Sequence, residues 1–297
     1  MYSQITSNKR KSVILLLVFV VVVLGFGWLI GEYYQGGLGF EGVTIAGIIS
    51  IFMSLGSYFH GDKLALATSG AKNITVQTNP YVFRMVENLA ITAGIPCPKV
   101  YIIEDQAINA FATGRNPQHA SIAVTTGAIE KLKNEELEGV LAHELSHVKN
   151  YDILVMTLVI VLVGTVALLS DWMFRGSMFR SRERSGREGN QLIAVLAIVA
   201  IILAPIISQL IKLAVSRKRE YLADASGALL TRYPEGLANA LEKIRTEPKA
   251  MDRANHATAH LFLSDPFRKQ ISKKVSNLWS THPPLEDRIK ALHEMGI

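Results

Sequence analysis

The sequence contains one cysteine, Cys97, among its 297 residues. A single cysteine cannot close an internal disulfide, and a metal site built from several thiolates is excluded for the same reason. Cys97 lies between Pro96 and Pro98, and no catalytic partner for it is evident in the sequence. We therefore expect Cys97 to be a small buried side chain.

Charged residues are also scarce, since they make up 19% of the chain while hydrophobic residues make up 49%. The mean hydropathy of +0.25 is too high for an ordinary soluble domain. The sequence predicts a multi-pass membrane protein with four hydrophobic helices, although the last two can instead form a hairpin that does not cross completely. Each uncharged run has about the 17–25 residues that a membrane helix needs, and the runs are Val13–Ile30, Val43–Phe59, Ile153–Ser170 and Leu192–Ile211.

The formal net charge of +6 does not indicate a nucleic-acid partner. The basic residues are spread over loops and membrane flanks, where lipid headgroups attract them, and are not grouped with aromatic residues on one face. Lys9, Arg10 and Lys11 precede the first run. The charged residues of the loop Gly31–Gly42, in contrast, are all acidic. The positive-inside rule therefore places the polar part of the chain on the cytoplasmic side of the cell membrane. Five arginines between the third and fourth runs oppose this rule if both runs cross, and we assign no role to that loop.

A segment with helical periodicity contains His143-Glu144-Leu145-Ser146-His147. Residues four apart on a helix lie on one face, one turn from each other. Two imidazoles at this spacing can bind one zinc ion, and the intervening glutamate can act as general base toward a water on the metal. The pattern predicts His143 and His147 as ligands of one Zn²⁺ per chain and Glu144 as the catalytic base. Two unrelated histidines on an amphipathic helix are the alternative.

A catalytic zinc site needs three protein ligands and one open position, so the chain must supply a third ligand. Glu220 and Asp224 are four residues apart, soon after the fourth run, and share a helix face. We predict that Glu220 binds the metal and that Asp224 accepts a hydrogen bond from an imidazole, for which His143 is the candidate. A surface ion pair between Glu220 and the basic residues 217–219 is the alternative.

Three other histidines have a notable sequence context. His282 lies before Pro283 and Pro284, and a histidine in such a rigid turn can stabilise the oxyanion formed when water attacks a peptide carbonyl. A turn-capping or surface role is the alternative. His256 and His260 are also four residues apart, but no acid lies between them, so we expect an ordinary helix face rather than a second metal site.

The polar segments predict an α+β domain that is mainly helical. A helix begins at Asn79-Pro80 and stops at Gly94, and Asn134 caps the helix that carries the histidine pair. Val100–Ile103 and Ser121–Thr126 have the composition of strands.

We divide the chain into four parts. Residues 1–60 form an N-terminal membrane helix pair, and residues 61–152 form the first part of the catalytic domain with the histidine pair. Residues 153–211 form a second hydrophobic helix pair, and residues 212–297 form the second part of the catalytic domain with the third ligand. Neither polar part can bury much core alone, so we expect both to pack as one domain.

Three motifs follow each other along the chain, namely HELSH at 143–147, EYLAD at 220–224 and THPPLEDR at 281–288. With two apolar runs before the first motif and two between the first and second, they resemble the HtpX-type membrane zinc metalloproteases. NAFATG at 109–114 and HLFLSDPF at 260–267 resemble further segments of that family. The resemblance covers nearly the whole chain and implies a gluzincin-like zinc protease domain on membrane helices.

The resemblance also implies roles for individual residues. The zinc ligands would be His143, His147 and Glu220, and Glu144 would be the general base. An edge strand, here Ser121–Thr126, would pair with the backbone of an extended polypeptide substrate.

Further residues would belong to the same cleft. The resemblance implies only that Asn109 and His282 line it; we predict in addition that Asn109 and Arg288 bind substrate and that His282 is a catalytic residue. The family acts on misfolded or damaged membrane proteins, which implies a role in membrane protein quality control. The sequence does not predict the oligomeric state.

Three other classes of protein fit parts of the pattern. Site-2-type intramembrane proteases carry H-E-x-x-H within a span, whereas the charged run Lys131–Glu138 precedes it here and predicts a site beside the membrane. Relatives of CaaX prenyl proteases share the motifs but have more than four spans. A non-catalytic membrane scaffold or adaptor with a structural metal site would not need the acid Glu144 beside a complete ligand set.

Overall fold

The computed structural model describes residues 2–35, 39–159, 217–253, 258–267 and 283–295. Two long helices come first, α1 (Tyr2–Gln35) and α2 (Gly39–Thr68). Residues Ile5–Trp28 of α1 and the whole of α2 are long and apolar enough to cross a membrane. Large apolar side chains are exposed on both helices, for example Val21 (67%) and Phe52 (71%), as a surface facing lipid requires. The first two predicted hydrophobic helices are therefore present.

The second pair of hydrophobic segments falls mostly outside the described residues. Only the start of Ile153–Ser170 is described, where residues 152–159 form helix α6. Val155 and Val159 of α6 are buried against Leu15 and Phe19 of α1. Leu192–Ile211 and the arginine-rich loop lie outside the described residues.

Four strands form one sheet in the order β1-β2-β4-β3. They are β1 (Lys72–Ile74), β2 (Lys99–Ile103), β3 (Ala110–Gly114) and β4 (Ala120–Thr125). β2 and β4 run parallel, while β1 and β3 are antiparallel to their neighbours. The predicted strands correspond to β2 and β4.

The prediction that Ser121–Thr126 is an edge strand is wrong. This segment is β4, which lies between β2 and β3, with Ala123 paired to both Tyr101 and Phe111. The edges of the described sheet are β1 and β3. The sequence of β3, Ala-Phe-Ala-Thr-Gly, carries only a weak strand signal because alanine and glycine are depleted in strands.

Helix α3 (Pro80–Ala93) has the predicted ends. The Asn79 side chain accepts a hydrogen bond from the backbone of Val82 (3.1 Å), and the helix stops at Gly94 with φ 69°. After the short helix α4 (Thr126–Lys131), helix α5 (Asn134–Lys149) carries the histidine pair.

The prediction that Asn134 caps α5 is wrong, because Asn134 is the first residue of the helix and Lys133 precedes it. The Lys133 backbone N–H donates to the Glu136 carboxylate (2.7 Å), so a side chain from the first turn takes over the capping contact. The Asn134 amide oxygen instead accepts a hydrogen bond from the Tyr81 hydroxyl (3.2 Å).

The C-terminal part contributes helices α7 (Arg217–Thr231), α8 (Pro234–Thr246) and α9 (Leu285–His293). These helices share one hydrophobic core with the earlier elements, as predicted for two polar parts that pack as one domain. The core includes Val100, Ile122, Val124, Leu137, Leu141, Leu145, Ala228, Leu241 and Leu292.

The two faces of the sheet pack against different partners because successive side chains of a strand alternate. Ile122 and Val124 face the core with α5, whereas Ala123 and Phe111 belong to a second cluster with Leu66 near the end of α2. The sheet therefore lies between the helix of the histidine pair and the end of a candidate membrane helix.

The prediction that Cys97 is buried is wrong, because the structure places it at an exposed position. Cys97 lies in the connection between α3 and β2, and such connections run over the surface of a domain.

The close crossing of α5 and α8 predicts a large effect of one methyl group. A Cβ atom added at Gly139 would lie 2.7 Å from the Leu237 backbone nitrogen, so Gly139→Ala should destabilise the fold by about 1–3 kcal/mol. Gly56→Ala is the control, since no atom lies within 4 Å of its added Cβ. Thermal unfolding of both variants in detergent tests this, and equal midpoints would contradict the close crossing.

Candidate metal centre

The two histidines of α5 lie side by side in the interior. α5 packs into the core through a stripe that includes Leu141 and Leu145, and this packing turns the histidine face toward α7. His143 and His147 are 1% and 4% exposed, and their Nε2 atoms are 3.2 Å apart. The spacing of four residues thus brings both rings to one point, as predicted.

Helix α7 brings a carboxylate to the same point. Glu220 Oε1 lies 3.6 Å from His147 Nε2, and Glu220 Oε2 lies 3.9 Å from His143 Nε2. The three residues form a group that could hold a metal ion, with one atom from each within 4.8 Å of the others.

A carboxylate lies close to Nδ1 of each imidazole ring and determines which ring nitrogen carries the proton. His143 Nδ1 lies 2.9 Å from Asp224 Oδ1, and His147 Nδ1 lies 3.1 Å from Asp152 Oδ2. An ionised carboxylate only accepts hydrogen bonds, so each neutral ring carries its proton on Nδ1 and directs the lone pair of Nε2 toward the other ring.

This donor set fits a zinc ion. Two imidazole nitrogens and a carboxylate face one another in a dry space, and the negative charge around them attracts a cation. A tetrahedral zinc with bonds of about 2.0–2.1 Å holds its ligand atoms about 3.3–3.4 Å apart. The two Nε2 atoms, 3.2 Å apart, match this separation, and one carboxylate oxygen of Glu220 completes a set of three atoms within 4.8 Å of one another. The residues present therefore match the metal that the sequence predicts.

An arginine pairs with each carboxylate behind the rings. Arg288 of α9, which is fully buried, donates to both oxygens of Asp224 at 2.6 and 2.8 Å. Arg219 Nη1 lies 3.4 Å from Asp152 Oδ1. Burial alone would raise the pKa of Asp224, but the charge and hydrogen bonds of Arg288 outweigh burial and lower it.

The charges around the rings shift their pKa values in opposite directions. Burial lowers the pKa of His143 despite its hydrogen bond to Asp224. Burial acts on His147 in the same direction, but the hydrogen bond to Asp152 and the charge of Glu220 outweigh it and raise the pKa to about 9. The negative charge that attracts a proton to His147 in the metal-free protein also attracts a cation.

Glu144 lies beside the ligands and is 2% exposed. Burial raises the pKa of its carboxyl group to about 7, and the hydrogen bond from the Ala112 backbone N–H acts in the opposite direction. Since Ala112 belongs to β3, the edge of the sheet runs directly beside this acid.

Two residues predicted to bind substrate are buried. Asn109 is 2% exposed, and its amide makes two hydrogen bonds with the backbone of Ser264, at 3.0 and 3.2 Å. Arg288 lies behind His143, with its guanidinium engaged by Asp224. Their substrate-binding roles stay predictions, and the buried positions do not favour them.

The remaining histidines contribute little to the described site. His282 and His256 lie outside the described residues. His260 is buried in a short 3₁₀ turn (Ala259–Leu261), and its Nε2 lies 3.0 Å from the Met156 carbonyl oxygen, away from any second metal ligand in the described part of the chain.

Sequence reasoning missed Asp152 and Ala112. Asp152 follows the second histidine by five residues and begins α6, so a carboxylate just beyond the motif was the available signal. Ala112 acts through its backbone, for which the sequence offers no signal.

A buried site of two histidines and a carboxylate, with a second acid beside it and a sheet edge along it, defines a metallopeptidase. The chain belongs to peptidase family M48, whose family model matches residues 76–296. The predicted family resemblance and the predicted metalloendopeptidase class are confirmed by this match and by the relatives below.

Three relatives, each named "Protease HtpX homolog", match the chain over nearly its full length. The protein of Tropheryma whipplei (strain Twist) is 45% identical, covering 100% of this chain and 99% of the relative. The protein of Dictyoglomus thermophilum is 42% identical, covering 99% and 95%. The protein of Streptococcus agalactiae serotype III is 40% identical, covering 99% and 100%.

A solved structure shares the fold. The crystal structure of S. mikatae Ste24p aligns with a TM-score of 0.51 and 18% sequence identity, covering 98% of this chain and 67% of that one. Together, the family, the relatives and the two candidate membrane helices identify a membrane metalloprotease.

The ligand geometry predicts which substitutions release the metal. Loss of a residue that hydrogen-bonds to a metal ligand lowers metal affinity about 10–100-fold. His143→Ala should lower zinc affinity by more than this, because a ligand itself is lost. His119→Ala is the matched control. His119 is exposed, and among the described residues its side chain hydrogen-bonds only to Asn116. Elemental analysis of purified protein measures the result, and one zinc per chain in His143→Ala would contradict the ligand assignment.

Proposed function

We propose that this metalloendopeptidase uses zinc to cleave membrane proteins or misfolded polypeptides at the cytoplasmic surface of the cell membrane, in membrane protein quality control. The observation that carries the proposal is the convergence of His143, His147 and Glu220 with Glu144 beside them. Asn8 of α1 bonds to Asp152 behind His147, and α2 packs against the opposite face of the sheet.

Zinc is the metal that the donor set favours. Two imidazoles and one carboxylate are the protein ligands of several zinc peptidases, and they leave a fourth position for water or substrate. A zinc ion bound there would supply Lewis acidity, polarising the scissile carbonyl and lowering the pKa of a water molecule to about 7.

Glu144 is the group that moves the proton. It accepts a proton from the water that attacks the peptide carbonyl and then delivers it to the leaving amine. The Ala112 N–H holds the Glu144 carboxylate beside the ligands, so the base is already oriented. The oxyanion-stabilising role of His282 stays a prediction.

The outer edge of β3 is the part of the sheet best placed to hold substrate. Ala110, Ala112 and Gly114 direct their backbone groups away from β4, because alternate residues of a strand do so. The Ala110 carbonyl already accepts a hydrogen bond from Leu263 (3.0 Å), and Gly114 N–H donates to Thr157 (3.1 Å). The Ala112 N–H donates to Glu144, so an extended substrate would pair with β3 through the Ala112 carbonyl, next to Glu144.

Pairing at Ala112 predicts that one backbone nitrogen of the substrate matters most. N-methylation of one nitrogen at a time should lower kcat/KM about 3–10-fold at the position that donates to the Ala112 carbonyl, since a lost hydrogen bond contributes about 0.5–1.5 kcal/mol. The two neighbouring nitrogens point away from β3, and their methylation is the internal control. A uniform effect along the peptide would contradict pairing with a strand.

The membrane helices support a site close to the bilayer surface. Leu66 near the C-terminal end of α2 packs in one cluster with Phe111 of β3, so the sheet begins where the apolar helix ends. Lys9 and Arg10 are exposed at the start of α1, and basic residues at this end favour a cytoplasmic location.

Removal of the proposed base should separate metal binding from catalysis. Glu144→Gln should keep one zinc per chain, yet hydrolyse casein at least about 10²–10⁴-fold more slowly, which is the usual contribution of a general base. Glu135→Gln on the exposed first turn of the same helix is the control.

Chelation completes this test. A zinc chelator should abolish casein hydrolysis by the wild-type protein, and added zinc should restore it. Unchanged activity of zinc-loaded Glu144→Gln would remove Glu144 from its role, and a zinc-loaded wild-type protein without any activity would favour the scaffold alternative.

A further inference from the structure

The turn between α5 and α6 places a carboxylate behind one metal ligand. Asp152, the first residue of α6, is 2% exposed, and its Oδ2 accepts the hydrogen bond from His147 Nδ1 at 3.1 Å. This bond fixes the rotation of the ring, so the direction in which Nε2 points depends on where Asp152 is held.

The other oxygen of Asp152 is held by the first membrane helix, and it also lies 3.4 Å from Arg219 Nη1 of α7. Asn8 of α1 donates through its side-chain Nδ2 to Asp152 Oδ1 at 2.6 Å and to the Asn150 carbonyl oxygen at 2.9 Å. Asn8 is fully buried and lies near the start of the candidate span Ile5–Trp28. A residue 144 positions away in the sequence thus reaches the carboxylate that orients a ligand.

Two further contacts fix α1 against this turn. Lys9 Nζ lies 4.7 Å from the centre of the Tyr151 ring, a cation–π contact. Tyr151 adopts φ 61°, an uncommon conformation for a residue other than glycine. Further along, Leu15 and Phe19 of α1 pack in one cluster with Val155 of α6. The position of Asn8 is therefore set by the docking of the whole helix.

An amide in this position does more than fill space. A buried amide that lacks partners costs about 1–3 kcal/mol in proteins, and a leucine, with the same number of side-chain heavy atoms, would lie in an apolar helix without that cost. Both hydrogen bonds of the Asn8 Nδ2 group end on the turn that carries Asp152. The Asn8 amide group on α1 is therefore directed toward the metal centre and not toward the lipid.

We propose that Asp152 is a positioning residue for the metal ligand His147 and that Asn8 holds Asp152 in place. The first membrane helix is therefore a structural part of the metal centre and not only an anchor. This inference rests on the proposed zinc site.

The experiment compares zinc release from purified full-length variants in detergent. Asn8→Leu keeps the number and branching of the side-chain heavy atoms and removes the amide donor, and Asp152→Ala removes the carboxylate. Ser12→Ala is the matched control, because Ser12 is also buried on α1, one turn from Asn8, and its hydroxyl bonds only within the helix, to the Asn8 carbonyl. Transfer of zinc to a chromogenic chelator gives the release rate for each protein.

Asn8→Leu should release zinc about tenfold faster than wild type, and Asp152→Ala about 10–100-fold faster, the range found for partners behind metal ligands. Ser12→Ala should stay within about twofold, as a substitution without contact to Asp152. Asn8→Leu added to Asp152→Ala should accelerate release less than about twofold further, because both act through one carboxylate.

Two readouts separate positioning from general loss of stability. The visible spectrum of the cobalt-substituted protein reports ligand geometry and should change in Asn8→Leu but not in Ser12→Ala. The thermal midpoint of the metal-free proteins should be similar for these two variants.

The failures of the two proposals are distinguishable. A wild-type protein that binds no zinc overturns the proposed function and this inference with it. If Asn8→Leu binds zinc, releases it at the wild-type rate and has an unchanged cobalt spectrum, this inference alone is overturned. Additive effects of Asn8→Leu and Asp152→Ala overturn the action through Asp152, and if Asp152→Ala does not fold, the comparison of Asn8→Leu with Ser12→Ala decides.

Discussion

Two imidazole rings converge beside a carboxylate in a buried space, and the rest of the structure depends on this arrangement. His143, His147 and Glu220 are each at most 4% exposed, so water cannot screen them. The carboxylates around the rings make this buried space attractive to a positive charge, which in the metal-free protein is a proton on His147. The fold maintains this arrangement by holding each ring from behind and by leaving a space that a cation fills.

The centre is built from two similar chains of contacts. His143 bonds to Asp224, which pairs with Arg288, and the second ring bonds to Asp152, which lies close to an arginine of α7. With Glu220 and Glu144 included, the centre contains four carboxylates and two guanidinium groups. When all six groups are ionised, their net charge is −2. A divalent cation neutralises this charge, so the same ion that satisfies the ligands also removes the cost of burying it.

The parts of the site that the sequence predicts are those with spacing inside one helix. The pair of histidines, and Glu220 with Asp224, each lie four residues apart, so helix geometry alone brings them together. The contacts of Asn8 and Arg288 depend instead on how distant segments pack, and no local pattern encodes them. The edge strand was misassigned for a related reason, since edge position depends on strand order, and the edge strand β3, Ala110–Gly114, has little strand propensity.

The membrane helices are part of the domain's packing. One face of the sheet is buried against the end of α2 through Phe111 and Leu66, and α1 buries Leu15 against α6. Without these helices, both apolar surfaces would face water, at about 25 cal/mol per Å² of apolar area exposed. The orienting carboxylate of His147 would also lose its contact with α1. The contacts that complete the core of the domain therefore also join α1 and α2 to the elements that carry the metal centre.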